Sequence, residues 1–301
     1  LFLQSHQNLM NLLCVKLSKE ESIMTISIWT LSENTSAKPG FAAEWGLSVL
    51  IRVDDLDILF DTGANTAAVE NAKIFPVELR HLHSLVLSHG HADHTGGLRQ
   101  VLKAAGPKKI FAHPDIWRSK YTKRPYQDSE AYIGIPFARQ ELESLGASFT
   151  FSKKPQQITK NVMTTGEVPM VTKYEAIEPN LLVSGPNGME PDPLDDDLSL
   201  IITSEKGLIV ILGCAHRGMI NHILHARKLT GVDKVYAVIG GTHLGPASEE
   251  RLRNAIRDLH EMDVKKIGVS HCTGFHAAAE LERSFKDNFF LNNAGTYLMD
   301  P

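Results

Sequence analysis

Four ligand-type side chains fall within six positions in the run Ser88-His89-Gly90-His91-Ala92-Asp93-His94-Thr95-Gly96-Gly97. In an extended chain, residues two apart point the same way, so His89 and His91 can hold one metal ion, and a following turn would aim Asp93 and His94 at a neighbouring position. Two ions about 3.5–4 Å apart make a hydrolytic centre, because cations polarise an ester oxygen and acidify water near neutral pH. The competing explanation is a solvated polar loop. Crowding four such groups into a strand-to-helix junction is costly unless something binds them. More histidines stand in Gly213-Cys214-Ala215-His216-Arg217-Gly218, in Gly240-Gly241-Thr242-His243-Leu244 and in Ser270-His271-Cys272-Thr273-Gly274. Each follows an apolar run, and the ends of such strands are where ligand loops of layered α/β sheets gather. Six of the 14 histidines are thereby placed at expected strand ends, and the rest, including His222 and His225, need no special role.

The elements that must carry these loops alternate between β-type and α-type runs from Thr25 onward. Strands are expected at 25–31, 47–53, 57–60, 85–87 and 109–112, with a helix at 97–105. A hairpin is expected from arms 198–203 and 208–212, both apolar enough to be buried on two faces. Helices follow at 219–229, 248–262 and 276–285, alternating with strands at 234–239 and 266–270; Ser248 before Glu249 and Glu250 is a suitable helix start. The stretch 114–197 holds most of the 14 prolines and has weak periodicity, so it is expected to be an insertion folded over the scaffold as a partly ordered lid.

Composition bounds the rest. The 301 residues are 43% apolar and 22% charged, as in ordinary globular domains, and one domain spanning 24–301 with that insertion is expected. A net charge of -4 offers no general attraction to polyphosphate, so a nucleic-acid partner is not expected. Three cysteines without a C-x-x-C spacing exclude a disulfide framework. No apolar run reaches the roughly 18 residues of a membrane span, and a cytoplasmic location without membrane contact is expected. Residues 1–23 are either an extension preceding a natural start at Met24 or an amphipathic helix through Leu9, Leu12, Leu13 and Leu17.

The H-x-H-x-D-H signature, preceded by Phe60-Asp61-Thr62-Gly63 at a strand end, resembles the metallo-β-lactamase superfamily over roughly residue 25 to the C-terminus. The resemblance implies an αβ/βα sandwich: two sheets packed face to face between outer helices, with two divalent metal ions at one edge. Zinc comes first, with manganese or iron as alternatives. Asp61 would then orient a ligand histidine from outside the coordination shell; a plain turn after a strand is the other explanation. The segments Asp195 to Leu200, G-C-A-H-R-G, G-G-T-H-L and S-H-C-T-G are similar to a narrower branch, that of 7,8-dihydropterin-6-methyl-4-(β-D-ribofuranosyl)aminobenzene-5'-phosphate synthase.

The pattern departs from common members of the superfamily, which carry a G-H-T-P-G-type ligand and a later G-D whose carboxylate bridges both ions. Here Cys214 stands where that Asp would be, which leaves the bridging group open. The resemblance assigns His89, His91 and His216 to one ion and Asp93, His94 and His271 to the other. Cys214 is a ligand or a small buried hydrophobe. His243, with an ordinary pKa near 6.5, suits a proton donor to the leaving group, and Asp93 a proton acceptor. Trp117, Arg118, Lys120, Tyr121, Lys123, Arg124, Tyr126 and Tyr132 interleave cations and aromatic rings. Within that run Arg118, Lys120, Tyr121 and Arg124 are candidates to hold a phosphate and a planar group, against the alternative of a solvated loop. The expected activity is metal-dependent hydrolysis of a small-molecule phosphate ester, by a monomer or a homodimer. Pterin-precursor synthesis and lactone or carboxylic ester hydrolysis are the alternatives. A flavodiiron-type redox centre would want a carboxylate at position 92, which is Ala.

Overall fold

The structure is a computed structural model and describes residues 24–36, 38–124 and 129–301. The expected helix within residues 1–23, together with Cys14 and Tyr126, lies outside the described residues. The strands are β1 (Ile26–Ser32), β2 (Ser48–Val53), β3 (Leu56–Phe60), β4 (Ser84–Val86), β5 (Lys108–Ala112), β6 (Lys120–Thr122), β7 (Ala131–Tyr132), β8 (Ala147–Phe151) and β9 (Gln157–Thr159). They continue as β10 (Val162–Thr164), β11 (Leu181–Gly185), β12 (Gly188–Pro191), β13 (Ser199–Ser204), β14 (Gly207–Leu212), β15 (Val235–Gly241), β16 (Lys266–Ser270), β17 (Phe289–Leu291) and β18 (Tyr297–Met299).

Two seven-stranded sheets, ordered β18-β1-β2-β3-β4-β5-β8 and β17-β16-β15-β14-β13-β10-β9, form the body. Strict alternation of side chains decides the layering. Val49, Ile51, Ile58 and Phe60 of the first sheet meet Leu200, Ile202, Ile209 and Ile211 of the second in a shared core. The intervening Leu50, Leu59 and Leu85 face outward onto Val101 and Leu102 of the helix Leu98–Ala105. In the same way Leu208, Val210 and Leu212 cover Ile220 and Ile223 of the helix Met219–Thr230. Helix, sheet, sheet and helix therefore make four layers, the αβ/βα sandwich. Each sheet is apolar on both faces, which is why its strands read as unbroken Ile/Leu/Val runs.

The hairpin β13–β14 pairs Ser199 with Leu212 through Ser204 with Gly207. Ser248 caps the helix Glu249–Glu261, its side chain accepting from the Arg251 N–H. The stretch 114–197 differs from the expected lid. Strand β8 extends the first sheet beside β5, and β10 pairs with β13 in the second, so residues 147–164 belong to the scaffold itself. Strands β8 and β9 sit at sheet edges and the three-residue β10 lies beside β9, where few packed neighbours impose a clear apolar pattern. The added portion is a four-stranded sheet, β12-β11-β6-β7. Among the described residues no helix is long and apolar enough to cross a membrane.

Candidate metal centre

The carboxyl ends of β3 and β4, parallel in the first sheet, and of β14, β15 and β16, parallel in the second, open on one edge of the sandwich. The loops leaving them carry Asp61, the 88–94 run, Cys214 with His216, His243, and His271. Four of these turns need left-handed backbone at non-glycine residues: Asp61 (φ 57°), Ala215 (φ 55°), His243 (φ 48°) and His271 (φ 53°). Such conformations cost of order 1–3 kcal/mol each and persist where surrounding structure imposes them, commonly at functional sites. The 88–94 run is pressed against the Asp61 turn. A Cβ at Gly97 would lie 2.0 Å from the Thr62 carbonyl oxygen, and one at Gly96 would lie 2.2 Å from that of Ala64. Thr62 also donates through its N–H to the His94 carbonyl at 2.8 Å.

Ligand atoms converge in three groups, each within 4.8 Å: His89, Cys214 and His216; His94, Cys214 and His271; and Glu178, His216 and His243. His91 and Asp93 border them. His91 Nδ1 is 3.0 Å from His89 Nε2, and an Asp93 oxygen is 3.1 Å from His271 Nε2. The structure therefore brings together His89, His91, Asp93, His94, Cys214, His216 and His271, with His243 beside His216 at a ring-centroid distance of 4.1 Å. The donor set fits a divalent metal. His91 Nε2 and both ring nitrogens of the buried His216 have no hydrogen-bond partner, an arrangement that is costly without an occupant. Burial, reinforced by neighbouring imidazoles, holds His89 and His91 well below the usual histidine range, so their lone pairs are free.

Carboxylates outside this set fix the rings. Asp61 is fully buried and accepts from the Ser88 N–H at 2.7 Å, the Ser88 hydroxyl at 2.6 Å and His94 Nδ1 at 2.6 Å. It thus leaves His94 Nε2 facing Cys214 Sγ at 3.1 Å. Burial disfavours a charged His94, and the adjoining Asp61 carboxylate more than offsets this, pushing the imidazole up to about 9. Glu33 accepts from the His271 N–H at 2.6 Å, while the Asn34 side-chain oxygen lies 2.8 Å from His271 Nδ1.

Glu178 carries no motif in the sequence, yet it is the carboxylate nearest to His243. Its oxygens lie 3.0 Å from His243 Nδ1 and 3.9 Å from His216 Nδ1, and Arg251 Nη1 is 3.4 Å away. Burial opposes ionisation of Glu178, and the two histidines reverse that, holding it well below the ordinary carboxylate range. His222, expected to need no role, is fully buried, with Nε2 3.1 Å from Asp197 and Nδ1 2.5 Å from the Ser199 hydroxyl. Asp197 in turn accepts from the Arg217 N–H at 2.9 Å, which anchors the turn after His216.

A cavity of about 450 Å³ opens over the centre, lined by Trp45, Asp93, Arg124, Tyr132, His216 and His243 among others. Arg124 thus reaches the site. Lys120 does not: it is buried, and its ammonium lies 2.7 Å from Asp192 and 2.8 Å from Asp196, so its charge is spent inside the protein. Asp196 also accepts from the Gly90 N–H at 2.8 Å, so the ion pair braces the histidine loop from beneath. Arg118 and Tyr121 are not among the lining residues, although Tyr121 packs edge-on against Tyr132 at 5.4 Å. Trp117 packs against Phe149 instead of the cavity. Interleaved cations and rings therefore serve two purposes, and composition alone does not separate them.

The sequence model of the metallo-β-lactamase superfamily matches residues 46–271. The chain belongs to this superfamily. It is 34% identical over 280 residues to 7,8-dihydropterin-6-methyl-4-(beta-D-ribofuranosyl)-aminobenzene-5'-phosphate synthase of Methanocaldococcus jannaschii, covering 90% of this chain and 95% of that protein. An uncharacterised protein of the same organism is 34% identical over 267 residues, covering 88% and 96%. The crystal structure of Tm1679, a metal-dependent hydrolase of the β-lactamase superfamily, superposes with a TM-score of 0.78 at 27% identity, covering 91% of this chain and 98% of that one. Zn(2+)-bound PqqB from Methylobacterium extorquens shares the fold, with a TM-score of 0.53 at 12% identity over 90% and 99% of the two chains. The fold is thus of the metal-dependent hydrolase type, and its His/Cys groups are suited to hold metal.

Proposed function

We propose that the protein is a metal-dependent hydrolase of a small-molecule phosphate ester, with two zinc ions as its preferred cofactor. His89, His91 and His216 would hold one ion, and Asp93, His94 and His271 the other. The observation that carries this reading is the cavity in which unpartnered histidine nitrogens form the floor while Arg124 stands in the wall. Bound divalent cations would supply Lewis acidity to an ester oxygen and acidify water at the floor of the cavity.

The chain's own groups do the rest. Asp61 keeps the His94 proton on Nδ1, and the Ser88 hydroxyl, 2.8 Å from His89 Nδ1, links His89 to the same carboxylate. The half-buried Asp93 carboxylate is placed to accept a proton from water. His243 lines the cavity with the Glu178 carboxylate 3.0 Å from its Nδ1, and is placed to give a proton to a leaving group from Nε2. Burial disfavours the charged imidazole of His243, yet the Glu178 contact keeps it above the ordinary histidine range, suited to a donor near neutral pH. Arg124 supplies a permanent charge for a phosphoryl group, and Tyr132 and Trp45 supply ring faces.

The test is turnover of a panel of aryl and heterocyclic phosphomonoesters and phosphodiesters, lactones and carboxylic esters by metal-analysed protein. His243→Ala should lower phosphoester turnover about 10²-fold while sparing metal content. Unchanged turnover in that variant removes the donor role, and protein that binds no metal defeats the whole reading. Likeness over 90% of the chain to the named synthase favours a second reading, synthesis from a pterin precursor. Incubation with pterin and aminobenzene substrates beside the ester panel separates the two.

A further inference from the structure

Two of the three ligand groups share a sulfur atom. Cys214 Sγ belongs both to the group with His89 and His216 and to the group with His94 and His271. A zinc-bound sulfur and nitrogen, at about 2.3 and 2.0–2.1 Å from the metal, stand roughly 3.5 Å apart across a tetrahedral angle. The 3.1 Å separation of Cys214 Sγ from His94 Nε2 is of that order. Sulfur has lone pairs for more than one cation, and Cys214 is buried at the end of β14, between the histidines of the first sheet and those of the second. Both nitrogens of His216 on one side of it are unpartnered.

We infer that Cys214 is the bridging ligand of the centre, a thiolate shared by the two ions. This rests on the two-metal reading above. Deprotonation on binding sends the thiol proton to solvent, and no oxidation is involved. A shared thiolate favours zinc or cobalt over manganese and magnesium, because soft sulfur discriminates against hard cations. Cys272 is the natural control. It adjoins the same cavity, and its Sγ accepts from the His243 N–H at 3.3 Å and lies 3.6 Å from the Cys214 carbonyl oxygen, but it belongs to none of the three groups.

The experiment is titration of metal-free protein with Co(II), reading the near-ultraviolet thiolate-to-cobalt charge-transfer band, the spin coupling between ions and the bound stoichiometry. The wild type should bind two equivalents, with the band growing through both and the electron paramagnetic resonance signal weakening as the second binds. Cys272→Ser should keep the band. Cys214→Ser should lose it and retain one ion at most, whereas Cys214→Asp should recover two ions without the band; circular dichroism of the metal-free variants checks that both fold. A band complete at one equivalent, two tight ions with no band, or a band abolished by Cys272→Ser and kept by Cys214→Ser would each overturn the bridge while leaving a two-metal centre intact. Failure of the wild type to bind two ions would overturn the two-metal reading as well.

Discussion

Asp61→Asn isolates the logic of the centre in one isosteric change. The carboxylate accepts three hydrogen bonds: Oδ1 from the Ser88 N–H, and Oδ2 from the Ser88 hydroxyl and His94 Nδ1. An amide has one accepting oxygen. Turning it away from Ser88 would set its NH₂ against a backbone N–H that has no alternative state, so the oxygen stays there and the NH₂ faces Ser88 Oγ and His94 Nδ1. The serine hydroxyl rotates to accept. His94 can accept at Nδ1 only by moving its proton to Nε2, the atom 3.1 Å from Cys214 Sγ and the one required as a ligand. Replacing a charge-assisted bond of about 1.5–3 kcal/mol by a neutral one of about 0.5–1.5 kcal/mol should lower the Tm of metal-free protein by roughly 2–5 °C. Metal affinity should fall about 10- to 100-fold, as for other partners that orient ligand histidines. Competition with a chromogenic chelator measures the affinity and a thermal melt with excess chelator measures the Tm. Affinity within about twofold of wild type would refute the tautomer argument, whatever the melt shows.

Lys120→Met leaves Asp192 and Asp196 buried without their cation, and urea unfolding should show a loss of about 3–5 kcal/mol; a change confined to KM would restore Lys120 as a substrate ligand. Arg124→Ala, at the exposed cavity rim, should raise KM for phosphate esters about tenfold or more, the loss of one charge-assisted bond, with urea stability unchanged. A KM within error of wild type removes its phosphate role. Asp197 is fully buried; desolvation opposes its charge, and His222 outweighs that, leaving the carboxyl at about 2 against an ordinary 3.8. A depressed folded-state pKa gives stability that is present above pH 3.8 and lost as pH falls toward 2, about 2 kcal/mol in all. The stability gap between wild type and Asp197→Asn should shrink by that amount over this window in urea titrations, and a pH-independent gap would exclude the ion pair.

Residues adjacent in the chain were legible wherever one local rule governed them. The apolar runs that became β13, β14, β15 and β16 announce themselves because they are buried on both faces, and Ser248 announces a helix start because capping is a contact within one turn. The edge strands β8 and β9, and the three-residue β10 beside β9, escaped notice and were absorbed into an expected lid, since short strands at or next to a sheet edge pack too few neighbours to carry a pattern. Lys120 and Arg124 sit four residues apart in the same basic and aromatic segment, yet one is locked in a buried ion pair and the other lines the cavity. Nothing in their immediate neighbours distinguishes them.

By itself the sequence determined which side chains leave the strand ends, the layered α/β class and the superfamily, because chain spacing and side-chain period are covalent facts. Tertiary structure alone decided who meets whom across the sandwich. It set Cys214 between histidines from both sheets, brought Glu178 from the added segment against His243, and buried His222 against Asp197. These contacts join residues as far apart as His94 and Cys214 or Glu178 and His243. Their distances follow from how two sheets pack face to face, a quantity no local window of sequence contains.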